Sequence, residues 1–582
     1  MTAAHDVTAL QPLPASRWNR DTARHLLERA GFGGTPGEIQ ALAAMTPVQA
    51  VRHMVRFEHA DNSHLPAFEP SDIHDPGLEP FPASRPAVTE LAKRTGEALG
   101  VRVKPAGNRR LQPVVNRFFY WLRASSLETG RIACWWASRM VATRAPLQEK
   151  MALFWHGHFA VSEDKVRDCR KLLKALQLFQ RMGTGNFRDL MVAVAQDPAM
   201  LAFLDAGVNV RGAPNENFAR EIMELFTMGV GNYGENDIRE AARAFTGWNY
   251  RDLEFVINRE QHDSDTKTVL GRSGGFDGVE VIDIIMQQPA TADYIAGKLY
   301  RHFVRDDLQP ALQRHLGTVL RDAGYELAPF LETLFLSRDF YDAASMGTQI
   351  RSPVQLVVSS CRKLGLREVP GVPDFNETTT ALGQQLFHPP TVAGWAGGRS
   401  WITPGLLLAR GNFARDLLFP DINFIPPDRY SPNEEIRQVA DRIRAGQDIT
   451  SATTPAVAGK SGMTAESNRL ADRDEDFNTR YGSFRGWQMA LERVRPIPRD
   501  VAPVDLSAMV KAQGLEDTRA VVDHFIARFM VVPPDPRARL GMIAYLDEAL
   551  GTTDIARAAT YMEDALRTLL HLVMSQPEYQ LC

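Results

Sequence analysis

The stretch that decides the fold is Pro214–Gly229, with the sequence PNENFAREIMELFTMG. Asn215 stands at its beginning, where a side-chain oxygen can accept a hydrogen bond from an unpaired backbone N–H of a helix. Gly229 stands at its end, and glycine readily takes the left-handed conformation that terminates a helix. The sequence therefore predicts a helix with a defined start and stop.

This helix has two contrasting faces when its residues are placed about 100° apart. The polar face carries an amide, a guanidinium and two carboxylates, from Asn217, Arg220, Glu221 and Glu224. The opposite face is apolar and is expected to be buried, with Phe218, Ile222, Leu225 and Phe226. The polar face suits a metal site, an acid/base pair, or a surface that only contacts water.

The composition around this stretch is that of an ordinary globular protein. The chain has 582 residues, 44% hydrophobic and 23% charged, with a formal net charge of -4. This charge gives no reason to expect nucleic acid as a partner. No Cys-x-x-Cys pair occurs, and the four cysteines are far apart, which argues against a thiolate zinc site and a disulfide framework.

Segments that would place the chain in or across a membrane are not found in the sequence. No stretch approaches the roughly 18 apolar residues that a transmembrane helix needs. The first residues, MTAAHDVT, lack the basic region and apolar core of a signal peptide. The sequence as written is therefore expected in the cytoplasm, whereas a removed leader would mean export.

Helical patterns recur along most of the chain. Thr35-Pro36-Gly37-Glu38 is a capping box, and Thr46-Pro47 repeats the same start signal. The best candidate for extended structure is Phe255–Leu270. Because there is no βαβ alternation and no fixed-period repeat, we predict a mainly α fold. It is expected to be one large helical domain with long loops and few short strands.

The expected organisation has four parts. Residues 1–16 form an N-terminal tail, and residues 17–444 form the main helical body that carries the candidate site. Residues 445–480 are rich in Thr, Ala, Gly, Ser and charge and lack apolar periodicity, so they are predicted to be a flexible insertion. Residues 481–582 supply C-terminal helices that pack on the same body.

Four segments together resemble a bacterial family, the domain of unknown function 1800. They are Arg24–Gly33 (RHLLERAGFG), Phe154–Phe159 (FWHGHF), Pro214–Glu221 (PNENFARE) and Ala244–Trp248 (AFTGW). The resemblance extends over nearly the whole chain, which implies that its segments form one domain. It implies no activity, because the family's name assigns none. Many members of the family look exported, whereas this sequence carries no leader.

Two histidines suggest a metal site. His156 and His158 follow a helical pattern, and in an extended segment residues two apart point the same way. Zinc, manganese or iron accepts two imidazoles together with carboxylates. The oxygen ligands and the rest of the shell would come from Glu221, Glu224, His262 and Asp263. The alternatives are an acid/base histidine without a metal ion and histidines that only hold the backbone.

A second hypothesis uses carboxylates alone. Glu216, Glu221, Glu224 and Asp263 can provide the acid and the base that glycosidic cleavage needs. Aromatic surfaces for sugar rings would come from Trp155, Trp248, Trp395 and Trp401. The opposing interpretation is that tryptophans of a helical body belong to its core.

The leading hypothesis is an enzyme, a metal-assisted hydrolase or lyase that acts on a glycan or another small molecule. The candidate catalytic residues are Asn217, Arg220, Glu221 and Glu224, and the candidate metal ligands are His156, His158, His262 and Asp263. Motifs of nucleotide hydrolysis, dinucleotide redox chemistry and the α/β-hydrolases do not occur. The rival hypothesis is a non-catalytic binding or scaffold protein whose polar cluster is a structural ion-pair network.

Overall fold

The computed structural model describes residues 9–74, 112–421 and 479–582. Within these ranges the fold is mainly α with two small two-stranded sheets, which confirms the predicted class. The predicted insertion at 445–480 lies outside the described residues except for its last two positions, which open a helix. Residues 1–8 of the predicted tail also lie outside them. The segment that follows packs on the body, where the Leu13 N–H donates to the Leu336 carbonyl at 2.7 Å.

The helices of the first half of the chain are α1 Arg20–Arg29, α2 Pro36–Ala43, α3 Pro47–Val55, α4 Gln112–Ala142, α5 Pro146–His158, α6 Glu163–Val166, α7 Cys169–Met182, α8 Phe187–Ala195, α9 Pro198–Phe203, α10 Glu216–Glu221 and α11 Glu235–Ala244. A π-helix, Ile222–Met228, continues α10 directly and is called the π segment below.

The helices of the second half are α12 Gly278–Met286, α13 Pro289–Phe303, α14 Pro310–Asp322, α15 Leu327–Leu336, α16 Pro353–Leu364, α17 Phe375–Ala381, α18 Pro404–Leu418, α19 Thr479–Arg493, α20 Leu506–Ala512, α21 Thr518–Phe529, α22 Pro536–Leu550, α23 Ile555–Ala558 and α24 Glu563–Met574.

The strands lie between α11 and α12 and form two antiparallel hairpins. In the first, β1 Trp248–Arg251 pairs with β2 Glu254–Ile257. In the second, β3 Lys267–Val269 pairs with β4 Arg272–Gly274. The stretch Phe255–Leu270, predicted to be extended, therefore holds most of β2 and all of β3, with a short 3-10 turn between them.

The helix starts follow the local sequence. Thr35 and Thr46 each accept a hydrogen bond from the backbone N–H three residues on, and the residue at that position bonds back to the threonine backbone. Pro36 and Pro47 occupy the first helical position, where the missing N–H costs nothing. Both predicted capping signals are thus confirmed.

The helical run within Pro214–Gly229 begins and ends as predicted. Asn215 accepts from the Asn217 N–H at 3.1 Å, and Gly229 ends the run with a φ of 76°. A side chain at position 229 would also collide with Tyr294, since its Cβ would lie 2.8 Å from the ring. Three of the four predicted apolar residues are buried, and the fourth, Leu225, is only half-buried.

The π segment was not predicted. The Gly229 N–H donates to the Glu224 carbonyl at 3.0 Å, five residues back, and the Thr227 hydroxyl donates to the Ile222 carbonyl at 2.5 Å. The wider turn changes the directions in which Glu224 and Phe226 point relative to Glu221. Segments of this kind are rare and occur frequently at functional sites.

One hydrophobic core joins the N-terminal and C-terminal helices. It includes Leu26 of α1, Met151 of α5, Leu299 of α13 and Leu570 of α24, all of them fully buried. Each such side chain contributes about 1.5–3 kcal/mol when it is removed from water. The described C-terminal helices therefore share the core of the main body.

A buried ion cluster connects α1 to α16. Glu28 of α1 is fully buried and forms ion pairs with Lys363 of α16 and with Arg351, whose nitrogen lies 3.4 Å away. Burial alone would raise the pKa of Glu28, but the two cations together hold it below its usual value. Arg351 also donates to the Tyr579 carbonyl at 2.6 Å, which ties the C-terminal segment to the same cluster.

The Glu28→Gln variant tests this cluster. It should lower the free energy of unfolding by about 3–5 kcal/mol, because two buried cations lose their carboxylate. The control is Glu58→Gln at an exposed position, which should stay within about 0.5 kcal/mol of the wild type. Denaturant unfolding of both variants measures the difference. Equal stabilities would contradict the structural role of Glu28.

Candidate functional site

The predicted catalytic residue Arg220 is held in an ion-pair network at the surface. Its guanidinium donates to Glu216 at 3.2 Å and to Glu235 of α11 at 2.8 Å, and these carboxylates raise its pKa. Asn217 is exposed beside it. This end of α10 therefore joins two helices, and its cation already has two carboxylate partners.

His262 and Asp263 lie in the loop after the first hairpin. Their hydrogen bonds hold this loop against the end of α11. Asp263 accepts two hydrogen bonds from Arg243, at 2.8 and 3.3 Å. His262 Nδ1 lies 2.9 Å from the Thr246 carbonyl. Partial burial opposes ionisation of Asp263, but Arg243 lowers its pKa overall. The partners of both residues are thus local.

The predicted extended segment at His156 and His158 is wrong, because both residues lie on α5. Residues two positions apart in an α-helix are about 200° apart around its axis, so the two imidazoles point to different sides. His156 Nε2 accepts from the Phe387 N–H at 3.1 Å, and its ring contacts Phe387 and Trp395. Burial lowers its pKa to about 3, so the ring is neutral and supports the backbone of the Phe387 loop.

His158 has other partners than His156 and contacts Lys298, a residue that was not predicted for the site. Its Nε2 lies 3.0 Å from the Phe226 carbonyl, and its Nδ1 lies 3.1 Å from Lys298 Nζ. A carbonyl only accepts, so Nε2 carries the proton and Nδ1 accepts from the lysine. Burial and the neighbouring amine hold the pKa of His158 well below its usual value.

Lys298 lies on α13 and is half-buried. Its Nζ is 5.0 Å from the centre of the Tyr294 ring, a cation–π distance. Burial lowers the pKa of Lys298 to about 8, so much of the amine is neutral in mildly alkaline solution. A lysine of this kind can accept a proton near physiological pH.

Tyr294 contacts both members of this pair and also the π segment that carries Glu224. Its hydroxyl donates to the Leu225 carbonyl at 3.0 Å, and burial together with the charge of Glu224 raises its pKa to about 12. Glu224 accepts a hydrogen bond from Tyr233. Burial and the charge of Glu224 raise the pKa of Glu221. His158 and Tyr294 thus both contact the backbone of the π segment that carries Glu224, and the convergence of His158 with Glu221 and Glu224 stays a prediction.

A cleft of about 310 Å³ opens beside Lys298. Its walls come from α1, α5, α13, α16 and the loop that contains Trp395 and Trp401. The ionisable and aromatic side chains that line it are Arg29, Lys150, Phe154, His158, Lys298, Arg301, His302, Asp306, Trp395 and Trp401. The cleft therefore combines basic groups with two tryptophans.

The other two tryptophans proposed as sugar platforms belong to the core. Trp155 and Trp248 are 0% and 2% exposed. The Trp155 indole N–H donates to the Gly183 carbonyl at 2.7 Å, which fixes it between helices. The core interpretation is thus correct for these two residues, whereas Trp395 and Trp401 face the cleft.

Sequence reasoning missed the lysines of the cleft. Lys150, Phe154 and His158 are spaced four residues apart on α5 and share one helix face. This spacing was a usable signal, but the assumption of an extended segment at His158 concealed it. Lys298 gave no signal of its own, since a lone lysine on a helix is usually a surface residue.

The four predicted metal ligands do not form a common ligand set. Across residues 9–74, 112–421 and 479–582, no group of three or more His, Cys, Asp or Glu side chains lies close enough together to hold a metal ion. The binding of a divalent metal ion stays a prediction. Among the helices described, none is long and apolar enough to cross a membrane.

The fold and the cleft define a mainly α protein with a basic, tryptophan-lined site. The family model described as Protein of unknown function (DUF1800) matches residues 25–581, and the chain therefore belongs to this family. No curated protein and no solved structure matches it. The resemblance inferred from the four sequence segments is thus confirmed, and the functional argument depends on the geometry of the site.

The buried histidines predict a loss of stability in mild acid. Burial lowers the pKa of His25 and His156 to about 3, and it holds those of His158 and His302 well below 6.5. Below about pH 6.5 these histidines become protonated in the unfolded chain but stay neutral in the folded chain. The free energy of unfolding therefore decreases as the pH is lowered. Each histidine contributes up to ~1.4 kcal/mol per pH unit.

Denaturant unfolding between about pH 7.5 and about pH 5.5 measures this effect. Burial also raises the pKa values of Glu163 and Asp197, so these two carboxyls increase the free energy of unfolding as the pH is lowered. They offset only part of the effect of the four histidines. In the His156→Gln variant the free energy of unfolding should depend less steeply on pH, because about one proton fewer is taken up on unfolding. A free energy of unfolding that does not change over this range would contradict the buried, neutral histidines.

Proposed function

We propose that the protein is an enzyme of the hydrolase or lyase class and that its active site is the cleft beside Lys298. The observation that carries this proposal is the 3.1 Å hydrogen bond between Lys298 and His158 in the wall of the cleft. In its neutral form, Lys298 is the proton acceptor. His158 is a positioning residue, because the Phe226 carbonyl fixes its tautomer and thereby directs Nδ1 at the lysine.

A glycan is the proposed substrate class. Trp395 and Trp401 line the same cleft as Lys298 and offer flat apolar faces to the C–H groups of a sugar ring. Arg301 and Asp306 stand at an exposed part of the lining and offer polar contacts for hydroxyl groups. A cleft with apolar walls and a few convergent polar groups is typical of small-ligand sites.

The lining favours a lyase over a hydrolase with two carboxylates. Asp306 is the only Asp or Glu side chain among the described residues that line the cleft. Most glycoside hydrolases use a pair of carboxyl groups on either side of the bond that they cleave. Elimination instead needs a base that removes a proton from carbon, a role that Lys298 can fill.

Metal assistance by zinc, manganese or iron stays part of the proposal and has a direct test. Both nitrogens of His158 are engaged, so a metal ion bound to it would displace Lys298 or the Phe226 carbonyl. Metal analysis of the purified protein and of His158→Ala decides this point. Stoichiometric metal that the variant loses would support the metal-assisted mechanism, and a metal-free active protein would contradict it.

The alternative function is a non-catalytic binding or scaffold protein. The specific observation in its favour is that Arg220 bridges Glu216 and Glu235, which joins α10 to α11. Exposed ion pairs of this type contribute about 0–1 kcal/mol each. The scaffold hypothesis accounts for the polar face of α10 but not for the amines in the cleft.

The experiment is an activity screen of the purified protein on neutral and acidic polysaccharides, with new reducing ends and unsaturated sugars as readouts. Lys298→Met should lower kcat by about 10²–10⁴-fold, the usual contribution of a general base. Activity of the wild type should rise with a midpoint at about pH 8, since Lys298 must be neutral. The His158→Asn variant should keep this pH profile with a lower kcat.

The control is Lys511→Met, at an exposed position on α20 far along the chain from the cleft residues. It should leave kcat and the pH profile unchanged. A Lys298→Met protein as active as the wild type would remove the proposed base. A folded protein without turnover of any polysaccharide in the screen would favour the scaffold hypothesis.

A further inference from the structure

Lys150 is a buried amine that forms no ion pair with an Asp or Glu side chain of the described residues. It lies on α5, is 4% exposed and lines the same cleft as Lys298. Its Nζ lies over the Phe32 ring, 5.2 Å from the ring centre, which is a cation–π distance. Buried ammonium groups are nearly always paired, because the loss of water is costly. The amine therefore lines the cleft, where an anionic group of a ligand can reach it.

Glu28, whose charge acts on Lys150, is already paired with other cations. Glu28 is bound to Lys363 and Arg351, so it does not neutralise Lys150. Its charge and that at Cys582 only partly oppose the effect of burial, which lowers the pKa of Lys150 to about 8. An anion placed in the cleft would stabilise the charged form of the amine.

Arg29 adds a second positive charge, and its guanidinium donates hydrogen bonds to backbone oxygens. It is 2% exposed and donates to the carbonyls of Phe303, at 2.9 Å, and Val304, and to the backbone oxygen of Cys582, at 3.1 Å. No Asp or Glu side chain in the described chain forms an ion pair with it. Burial lowers the pKa of Arg29 and the charge at Cys582 opposes this effect, so Arg29 brings to the cleft a cation that is only partly compensated.

His302 completes this end of the cleft. It lines the cavity next to Lys150, and its Nε2 is buried without a hydrogen-bond partner among the described residues. Lys150 and Arg29 both lower its pKa further after burial, and all three side chains line the same cleft. A neutral imidazole can donate one hydrogen bond from this nitrogen.

We propose that Lys150, Arg29 and His302 form an oxyanion subsite in the cleft, which holds a carboxylate or sulfate group of the ligand. Lys150 and His302 donate hydrogen bonds to the oxyanion, and Arg29 supplies long-range attraction. The identification of the ligand as a glycan rests on the proposed function, and the two together define the substrate class as an acidic polysaccharide. The binding of the oxyanion itself does not depend on catalysis.

The test is direct binding of four probes at constant ionic strength, measured by calorimetry on the full chain. D-glucuronate, sulfate and inorganic phosphate carry an oxyanion, and glucose is the neutral control. The wild type should bind glucuronate and not glucose. Lys150→Met, which keeps the apolar stem, should weaken glucuronate binding by roughly 10- to 100-fold, as expected for one hydrogen bond to a charged group. The Lys511→Met control should bind like the wild type.

The outcomes separate the subsite from the enzyme hypothesis. Binding that depends on Lys150 without any polysaccharide turnover would keep the subsite and reject the proposed enzyme. Turnover of neutral glycans that depends on Lys298, without binding of any anionic probe, would reject the subsite alone. Sulfate or phosphate binding as tight as glucuronate binding would show a general oxyanion site without sugar recognition.

If Lys150→Met does not fold, Lys150→Arg provides a second variant, because it keeps the positive charge. Anion-dependent stabilisation of the wild type against heat gives an independent measurement, since a ligand of the folded state raises the midpoint. Stabilisation by glucuronate but not glucose, retained in Lys150→Arg, supports the subsite. Equal midpoints with all four probes would overturn it.

Discussion

Two adjacent buried charges on α1 set the geometry on which the cleft depends. Glu28 binds Lys363 of α16, whereas Arg29 binds the backbone oxygens at the end of α13. Because a buried charge is tolerated only with partners in place, each residue fixes one helix against α1. The helix held by Arg29 carries Lys298 and His302, so the positions of the cleft amines follow from this pair. Glu28 is already paired with two cations, Lys363 and Arg351, so its carboxylate forms no ion pair with the amines of the cleft.

The π segment provides the second constraint, from the other side of the site. The carbonyls near the end of a helix lack partners within it and accept from elsewhere. The Phe226 carbonyl accepts from His158, and the Leu225 carbonyl accepts from Tyr294. These two bonds orient the imidazole and the phenol against Lys298. A local change in helical pitch is thus connected to the tautomer of a histidine in the cleft wall, which is consistent with the frequent occurrence of such segments at functional sites.

The fold was predictable from the sequence to the extent that local signals determine it. Asn215, Gly229 and Thr35 mark helix ends through their own hydrogen bonds or conformations, and the structure confirms each. The site was harder to predict from the sequence, because the pKa values and contacts of its residues arise from tertiary burial. Lys298 resembles any helical lysine until α5 and the π segment cover it. The prediction for His156 and His158 failed because a Gly between them suggested the end of a helix that in fact continues through His158.

The cleft holds two amines, Lys150 and Lys298, that are partly removed from water and form no ion pair with an Asp or Glu side chain of the described residues. The most direct measurement is the pH dependence of acetylation of Lys150 and Lys298 in the full chain, read by mass spectrometry after brief labelling. The structure predicts that both amines titrate at about pH 8. Titration of both near pH ~10.4, the value of a fully solvated lysine, would contradict the claim.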